Sequence, residues 1–191
     1  MDHGDHVELL RRGVPQRGGT WADFGSGSGA FTLALADLLG AGARIVSIDL
    51  DPAALEEQAR LVGERFPGVA LEQRVADFRQ DLVLPPLDGL VMANSLHFVA
   101  RAEQLAVVGS LAAHVRPGGR FLIVEYDTDR GNPWVPFPLA YPSWERLAAS
   151  AGLASTSRIG RVPSRWLGAI YSAASTVTGA PVMDADGRRD G

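Results

Sequence analysis

Cysteine is absent from the 191 residues, which excludes a disulfide framework, a thiolate zinc site and a thiol nucleophile. A reducing compartment fits that absence. Lysine is absent too, so all 18 cationic side chains are arginine. No apolar run reaches the roughly 18 residues of a membrane span, and Met1 to Gly13 is too polar for a signal peptide. The expectation is a cytoplasmic protein with no membrane partner. The formal net charge of −4 argues against a broad electropositive surface, and no nucleic-acid partner is expected. With 46% hydrophobic and 21% charged residues, the rest is the composition of an ordinary globular domain whose core needs no staples. No internal repeat and no dividing linker interrupts it. The expected organisation is one domain over 1–178, with a helix and lead-in over 1–19 and a disordered tail over 179–191.

What the chain does have is glycine at alternate positions, in Asp23-Phe24-Gly25-Ser26-Gly27-Ser28-Gly29, between a short apolar run and Ala30-Phe31-Thr32-Leu33. This reads as strand, turn and helix start. Glycines let the backbone take conformations closed to other residues and bring N–H groups against a ligand, while the helix start favours an anionic group. The spacing alone leaves three readings open. Gly25, Gly27 and Ala30 suit a dinucleotide fingerprint. Gly25, Gly27 and Gly29 give an Asp-x-Gly-x-Gly-x-Gly loop that suits S-adenosylmethionine (SAM). A plain surface turn is the third.

Hydrophobic periodicity orders the remainder. A short helix falls within His6–Arg12, a strand at Thr20–Phe24 and a helix at Phe31–Leu39 closed by Gly40. Ala43–Asp49 is a buried strand. Asp51 then serves as N-cap and Pro52 as first residue of a helix reaching Phe66. Val69–Val75, interrupted by Glu72, Gln73 and Arg74, suits an edge strand, and Leu87–Ala93 a central one. Ala102–Val115 is expected to be a helix. Pro117-Gly118-Gly119 turns into a strand at Arg120–Glu125. Tyr126–Pro142, with four prolines, is irregular. A helix capped by Ser143 runs to Ala151, and strands follow at Ser155–Ile159 and Trp166–Ala174. The alternation predicts an α/β, doubly wound, Rossmann-like parallel sheet with helices on both faces.

In such a sheet ligands sit beyond the carboxyl ends of the strands. The glycine loop, Asp49, Asp77 and Asn94-Ser95-Leu96-His97-Phe98 all fall at strand ends and open on one edge. Asp49 stands 24 residues after Gly25, near the spacing at which an acid accepts from ribose hydroxyls. Asp77 suits an exocyclic amine such as that of adenine, with Leu50 and Phe78 beside the ring. Asp23 suits an ammonium group. A nicotinamide-dependent oxidoreductase remains an alternative, although without lysine there is no Tyr-x-x-x-Lys pair. A non-catalytic binding module is another.

Asp23 to Gly29, Ile48-Asp49-Leu50-Asp51-Pro52, Ala76-Asp77-Phe78, Asn94 to Phe98 and Arg116-Pro117-Gly118-Gly119-Arg120 together resemble the motif series of class I SAM-dependent methyltransferases. The resemblance covers about Trp21 to Tyr126, in order. It implies SAM as cofactor, with Asp23, Gly25, Ser26, Gly27 and Gly29 at its methionine end, Asp49 on the ribose, Leu50 on the adenine and Asp77 with Phe78 at the amino edge. Asn94 would open the loop that touches cofactor or substrate. It also implies a seven-stranded, mostly parallel sheet whose last strand is antiparallel and inserted beside strand five.

The implied reaction is in-line methyl transfer to a small-molecule acceptor. His97 is a candidate general base. Glu125 and Tyr126 are rival candidates after strand five, as are Asp127 and Asp129, and no metal is implied. Asn132-Pro133-Trp134 is similar to the Asn-Pro-Pro-aromatic signature of amino-group methyltransferases, but follows strand five rather than strand four, so that function does not carry over. The aromatic, proline-rich stretch instead suits a substrate wall, with Trp134, Phe137 and Tyr141 beside His97.

Overall fold

A computed structural model describes residues 1–179, so the tail expected over 179–191 lies, apart from Gly179, outside the described residues. Seven strands make one sheet: β1 (Thr20–Phe24), β2 (Arg44–Asp49), β3 (Ala70–Val75), β4 (Leu87–Ala93), β5 (Val115–Tyr126), β6 (Leu153–Ser164) and β7 (Gly168–Val177). Their order is β3-β2-β1-β4-β5-β7-β6. The first five run parallel, whereas β7 is antiparallel to both β5 and β6. This is the Rossmann-like sheet with the inserted antiparallel strand that the motif series implies.

Alternation along each strand sends side chains to two apolar layers. Phe24, Ile48, Met92 and Phe121 face α4 (Gln104–Ala112) and α5 (Tyr141–Ser150), where they pack with Val108, Leu111 and Trp144. Trp21, Ile45, Val91 and Leu122 face α1 (His3–Arg11) and α2 (Ala30–Leu39), meeting Leu9, Leu10, Phe31 and Leu35. The remaining helix, α3 (Pro52–Arg65), lies against α2 and β3. Each fully buried Phe or Leu in these layers contributes about 1.5–3 kcal/mol relative to exposure.

Local chemistry fixes where helices begin. Asp51 accepts from the backbone N–H groups of Ala53 (2.9 Å) and Ala54 (3.3 Å), and Pro52 takes the first turn of α3. The helix expected from His6 instead begins at His3, because Asp2 and Asp5 cap each other's backbone N–H, both at 3.0 Å. That reciprocal capping satisfies two of the orphan donors.

Several boundaries differ from expectation for tertiary reasons. Pro117-Gly118-Gly119 lies inside β5 rather than before it. Val115 already pairs with Leu87, and the register resumes at Gly89 with Arg120, so the segment is a bulge with Gly118 at φ 83. Pairing of Val115 also shortens α4 at its end. Ser143 does not cap α5, which starts at Tyr141 with Pro142 in its first turn; its hydroxyl donates to Asp129 instead (2.9 Å). Trp166 is not in a strand. It sits in the turn between β6 and β7, exposed, and β6 is longer than Ser155–Ile159 because β7 pairs along it from Leu153 to Ser164. Among the described residues no helix is long and apolar enough to cross a membrane.

Candidate functional site: two clefts sharing one wall

The loops leaving β1 to β5 meet at one edge of the sheet and are tied to one another. Gly25 donates its N–H to Ile48 O (2.8 Å), and Gly27 donates to Asp49 Oδ2 (2.7 Å). The Asp51 N–H donates to Asp49 Oδ1 (2.9 Å). Asp49 therefore fixes the glycine loop and the approach to α3, while Asp51 does the capping. Ser95 donates its hydroxyl to Phe24 O (2.7 Å), joining the end of β4 to that of β1. Gly25 is compelled at its position, since its φ is +73 and an added Cβ would stand 2.5 Å from Ser95 Cβ.

A cleft of about 320 Å³ opens over these loops, bringing together Gly25, Asp49, Leu50, Asp77, Phe78 and Asn94. Leu50 is exposed there, an apolar face open to a ring. Asp77 is not free. Arg79 clasps it with Nε (2.9 Å to Oδ1) and Nη2 (2.7 Å to Oδ2), and that hydrogen bonding holds its pKa below the usual carboxylate range. Arg79, which was not foreseen, also lines this cleft, as does Phe98 from the loop expected at this edge. The Asp77-x-Arg79 spacing is the only sequence signal for Arg79.

Asp23, Ser26, Gly27 and Gly29 stand beside this cleft rather than in its lining. Gly29, at φ 89, begins α2 and packs on Gln58. The Ser26 hydroxyl meets that of Ser47 (2.7 Å). Asp23 is buried, with Thr32 Oγ1 donating to its Oδ2 (2.6 Å), and burial, with a lesser push from Asp49, takes its pKa up to about 7. Its Oδ1 has no partner, and neither does Asn94 Oδ1. Asn94 also holds φ 53, uncommon outside glycine. Two orphaned buried acceptors at this edge are costly unless a ligand completes them.

Beyond Asn94 lies a second cleft of about 510 Å³, lined by Asn94, His97, Phe98, Tyr126, Asn132, Trp134, Val135 and Trp166. Asn94 and Phe98 belong to both clefts. His97 is buried on the turn Leu96–Phe98 after β4, and Glu125 near the end of β5 is fully buried behind it. The Nδ1 of His97 lies 2.9 Å from Glu125 Oε1 and 3.0 Å from Oε2. The Tyr126 N–H also donates to Oε1 (2.7 Å). Glu125 thus holds the imidazole but does not line the cleft. Tyr126 does, and burial pushes its phenol pKa up, helped by Glu125.

The wall is built as a brace. Asn132 Oδ1 accepts from the N–H groups of Trp134 and Val135 (both 2.9 Å), turning Trp134 outward. Asp129 accepts from Ala140 N–H (3.1 Å) and Ser143, and Asp127 from Tyr141 N–H (3.1 Å) and Arg161 (3.0 Å). These two acids anchor the wall and are not bases aimed at the cleft. Phe137 and Tyr141 fall outside the lining. Phe137 binds His97 O through its N–H (3.0 Å), and Tyr141 packs edge-on against Tyr171 and donates to Glu145 (3.2 Å). Trp166 enters the cleft from the β6–β7 turn, which sequence periodicity placed in a strand.

A family model for a methyltransferase domain matches residues 22–121. The chain belongs to the class I SAM-dependent methyltransferases. It is 29% identical over 104 residues to carboxy-S-adenosyl-L-methionine synthase of Psychrobacter arcticus, covering 54% of this chain and 39% of that protein. Over 114 residues it is 37% identical to ribosomal RNA small subunit methyltransferase H of Acidobacterium capsulatum, covering 51% of this chain and 38% of that one. The match thus spans about two fifths of these curated relatives. In fold it is similar to 1,6-didemethyltoxoflavin-N1-methyltransferase of Burkholderia thailandensis, solved with 1,6-didemethyltoxoflavin and S-adenosylhomocysteine. The TM-score is 0.70 at 19% identity, covering 93% of this chain and 79% of that one. The cofactor of this methyltransferase domain is SAM, and the first cleft offers a donor set that such a group needs: the acids Asp49 and Asp77, the apolar Leu50 and Phe78, and Asn94 with an unpartnered Oδ1, with the buried, unpartnered Oδ1 of Asp23 beside it.

Proposed function

We propose that this protein transfers a methyl group from SAM to a small molecule seated against the aromatic wall. One observation carries the reading: two clefts of different chemistry, one acidic and ringed by the strand-end loops, the other aromatic, share Asn94 and Phe98. A donor in the first and an acceptor in the second would meet there.

Bound in the first cleft, SAM would supply a methyl group already activated by positive sulfur. The chain's task is then mainly placement, and good orientation lowers such barriers by as much as about 7–11 kcal/mol. Asp49 holds the ribose while keeping Gly27 in position. Leu50 and Phe78 sandwich the adenine. Asp77 meets its amino edge, sharing the carboxylate with Arg79. Asp23 faces the ammonium through Oδ1, and Gly25, Ser26, Gly27 and Gly29 shape the methionine end. Trp134 supports the acceptor and the wall excludes water.

The net charge of −4 and the apolar second cleft favour a small acceptor over the RNA on which one relative acts by name. Residues 1–178 act as one catalytic domain in this reading. Isothermal calorimetry with SAM, S-adenosylhomocysteine and NAD tests it, together with an unbiased metabolite screen for methyl transfer. Asp49→Ala should weaken SAM binding about 10- to 100-fold, the worth of a charged hydrogen bond, with the fold retained by circular dichroism. An unchanged dissociation constant removes Asp49 from the ribose role, and NAD binding without SAM binding sinks the whole reading.

A further inference from the structure

Resting on the reading above, we infer that the acceptor is an aromatic hydroxyl compound whose oxygen gives its proton to Nε2 of His97, with Glu125 as the positioning residue. Four aromatic rings line the second cleft, those of Phe98, Tyr126, Trp134 and Trp166, with Val135 beside them. That surface matches a planar ring. No carboxylate is in the lining, so a cationic acceptor would meet no counter-charge there.

Among the polar groups of the lining, His97 is the one set up to take a proton. Both oxygens of Glu125 lie within 3.0 Å of Nδ1 of His97 and Oε1 also accepts the Tyr126 N–H, the arrangement of an acceptor pair facing one N–H, so Nδ1 is the donor at 2.9 Å. Nε2 is then the ring's acceptor, and among the described residues it has no hydrogen-bond partner. The carboxylate is itself fixed, fully buried and taking the Tyr126 N–H at 2.7 Å. His97 is 3% exposed and packs on Phe98 at a centroid distance of 4.3 Å. The imidazole is thereby locked in one tautomer and one orientation. Such an assembly is superfluous for a neutral amine, whose lone pair attacks before any proton leaves, and for a thiol, which ionises readily. It answers the need of a weakly acidic hydroxyl. The acceptor oxygen forms its bond to the methyl carbon as the carbon–sulfur bond breaks toward sulfur. The hydroxyl proton passes to Nε2, leaving a neutral thioether, an aryl methyl ether and an imidazolium beside Glu125.

The test uses the full chain, with phenol, 4-nitrophenol and aniline as probes. Binding is read first, without turnover: with S-adenosylhomocysteine present, phenol should saturate a quench of tryptophan fluorescence that Trp134→Phe diminishes. Nitrogen NMR of the imidazole should show the Nδ1-protonated tautomer of His97 in the wild type and its loss in Glu125→Gln. In turnover with SAM, His97→Gln should lower kcat for phenol roughly 100-fold or more while leaving 4-nitrophenol, ionised unaided in alkaline buffer, much less affected. Glu125→Gln should lower kcat for phenol with KM unchanged, and Glu125→Asp should restore part of it. Failure of SAM to bind in calorimetry overturns the underlying reading. SAM binding with no saturable phenol site overturns only this inference. So does methylation of aniline in preference to phenol, or an equal effect of His97→Gln on both phenols.

Discussion

Asp23 is buried against Thr32 with one oxygen unpartnered, and its pKa is pushed up to about 7 from an ordinary 3.8. Below the lower value folded and unfolded chains both hold the proton. As pH rises toward 7 the unfolded chain releases it while the folded chain retains it, so stability falls across that window and levels off above it. Three pKa units correspond to about 4 kcal/mol. Asp23→Asn should remove this slope, read as the difference between mutant and wild-type urea midpoints at a series of pH values; parallel curves would refute it. Gly25 makes a second prediction at this scale. With φ +73 and Ser95 Cβ 2.5 Å from an added Cβ, Gly25→Ala should cost about 1–3 kcal/mol of stability and weaken SAM binding, whereas Gly27→Ala, meeting nothing within 4 Å but also at positive φ, should pay only the backbone strain.

The segment between β5 and α5 is held by side chains rather than by regular hydrogen bonding, and Asp129 ties it to both Ala140 and Ser143. Asp129→Ala should loosen the wall by about 1 kcal/mol per lost bond, raising the KM of the acceptor and speeding proteolytic cleavage within 127–142 while leaving SAM affinity as it was. Trp134→Ala should impair turnover more than SAM affinity. Cleavage at the wild-type rate, or full turnover without Trp134, would count against the wall. This stretch also marks where the sequence stops being readable. Strands β1 and β4 carry their own pattern and appear at their expected residues, as does the Asp51-Pro52 start of α3. The cofactor cleft was legible because topology alone brings strand ends together. The wall was not, since its members are chosen by partners distant in sequence: Ser143 goes to Asp129, Phe137 to the backbone of His97, and Trp166 is delivered by a turn whose position depends on the pairing of β6 with β7. The lock on His97 is likewise a meeting of two strand ends that no spacing reveals.

At the scale of the molecule, a ligand that binds the folded chain alone stabilises it by mass action. At a concentration 100 times its dissociation constant, SAM should add about 2.7 kcal/mol and raise the melting temperature by about 5–10 °C; no shift, with calorimetric binding intact, would mean that SAM also binds unfolded chain. The sheet order adds a constraint of another kind. Among the described residues strand β6 has β7 as its sole neighbour in the sheet, and β7 is also the strand that closes the open side of β5. A growing chain on the ribosome can complete β1 to β5 while β6, although already made, has nothing to join. The buried row from Ala169 to Ala174 must emerge before either edge is sealed, so a released chain ending just short of residue 168 should be the species that chaperones hold and that aggregates most readily.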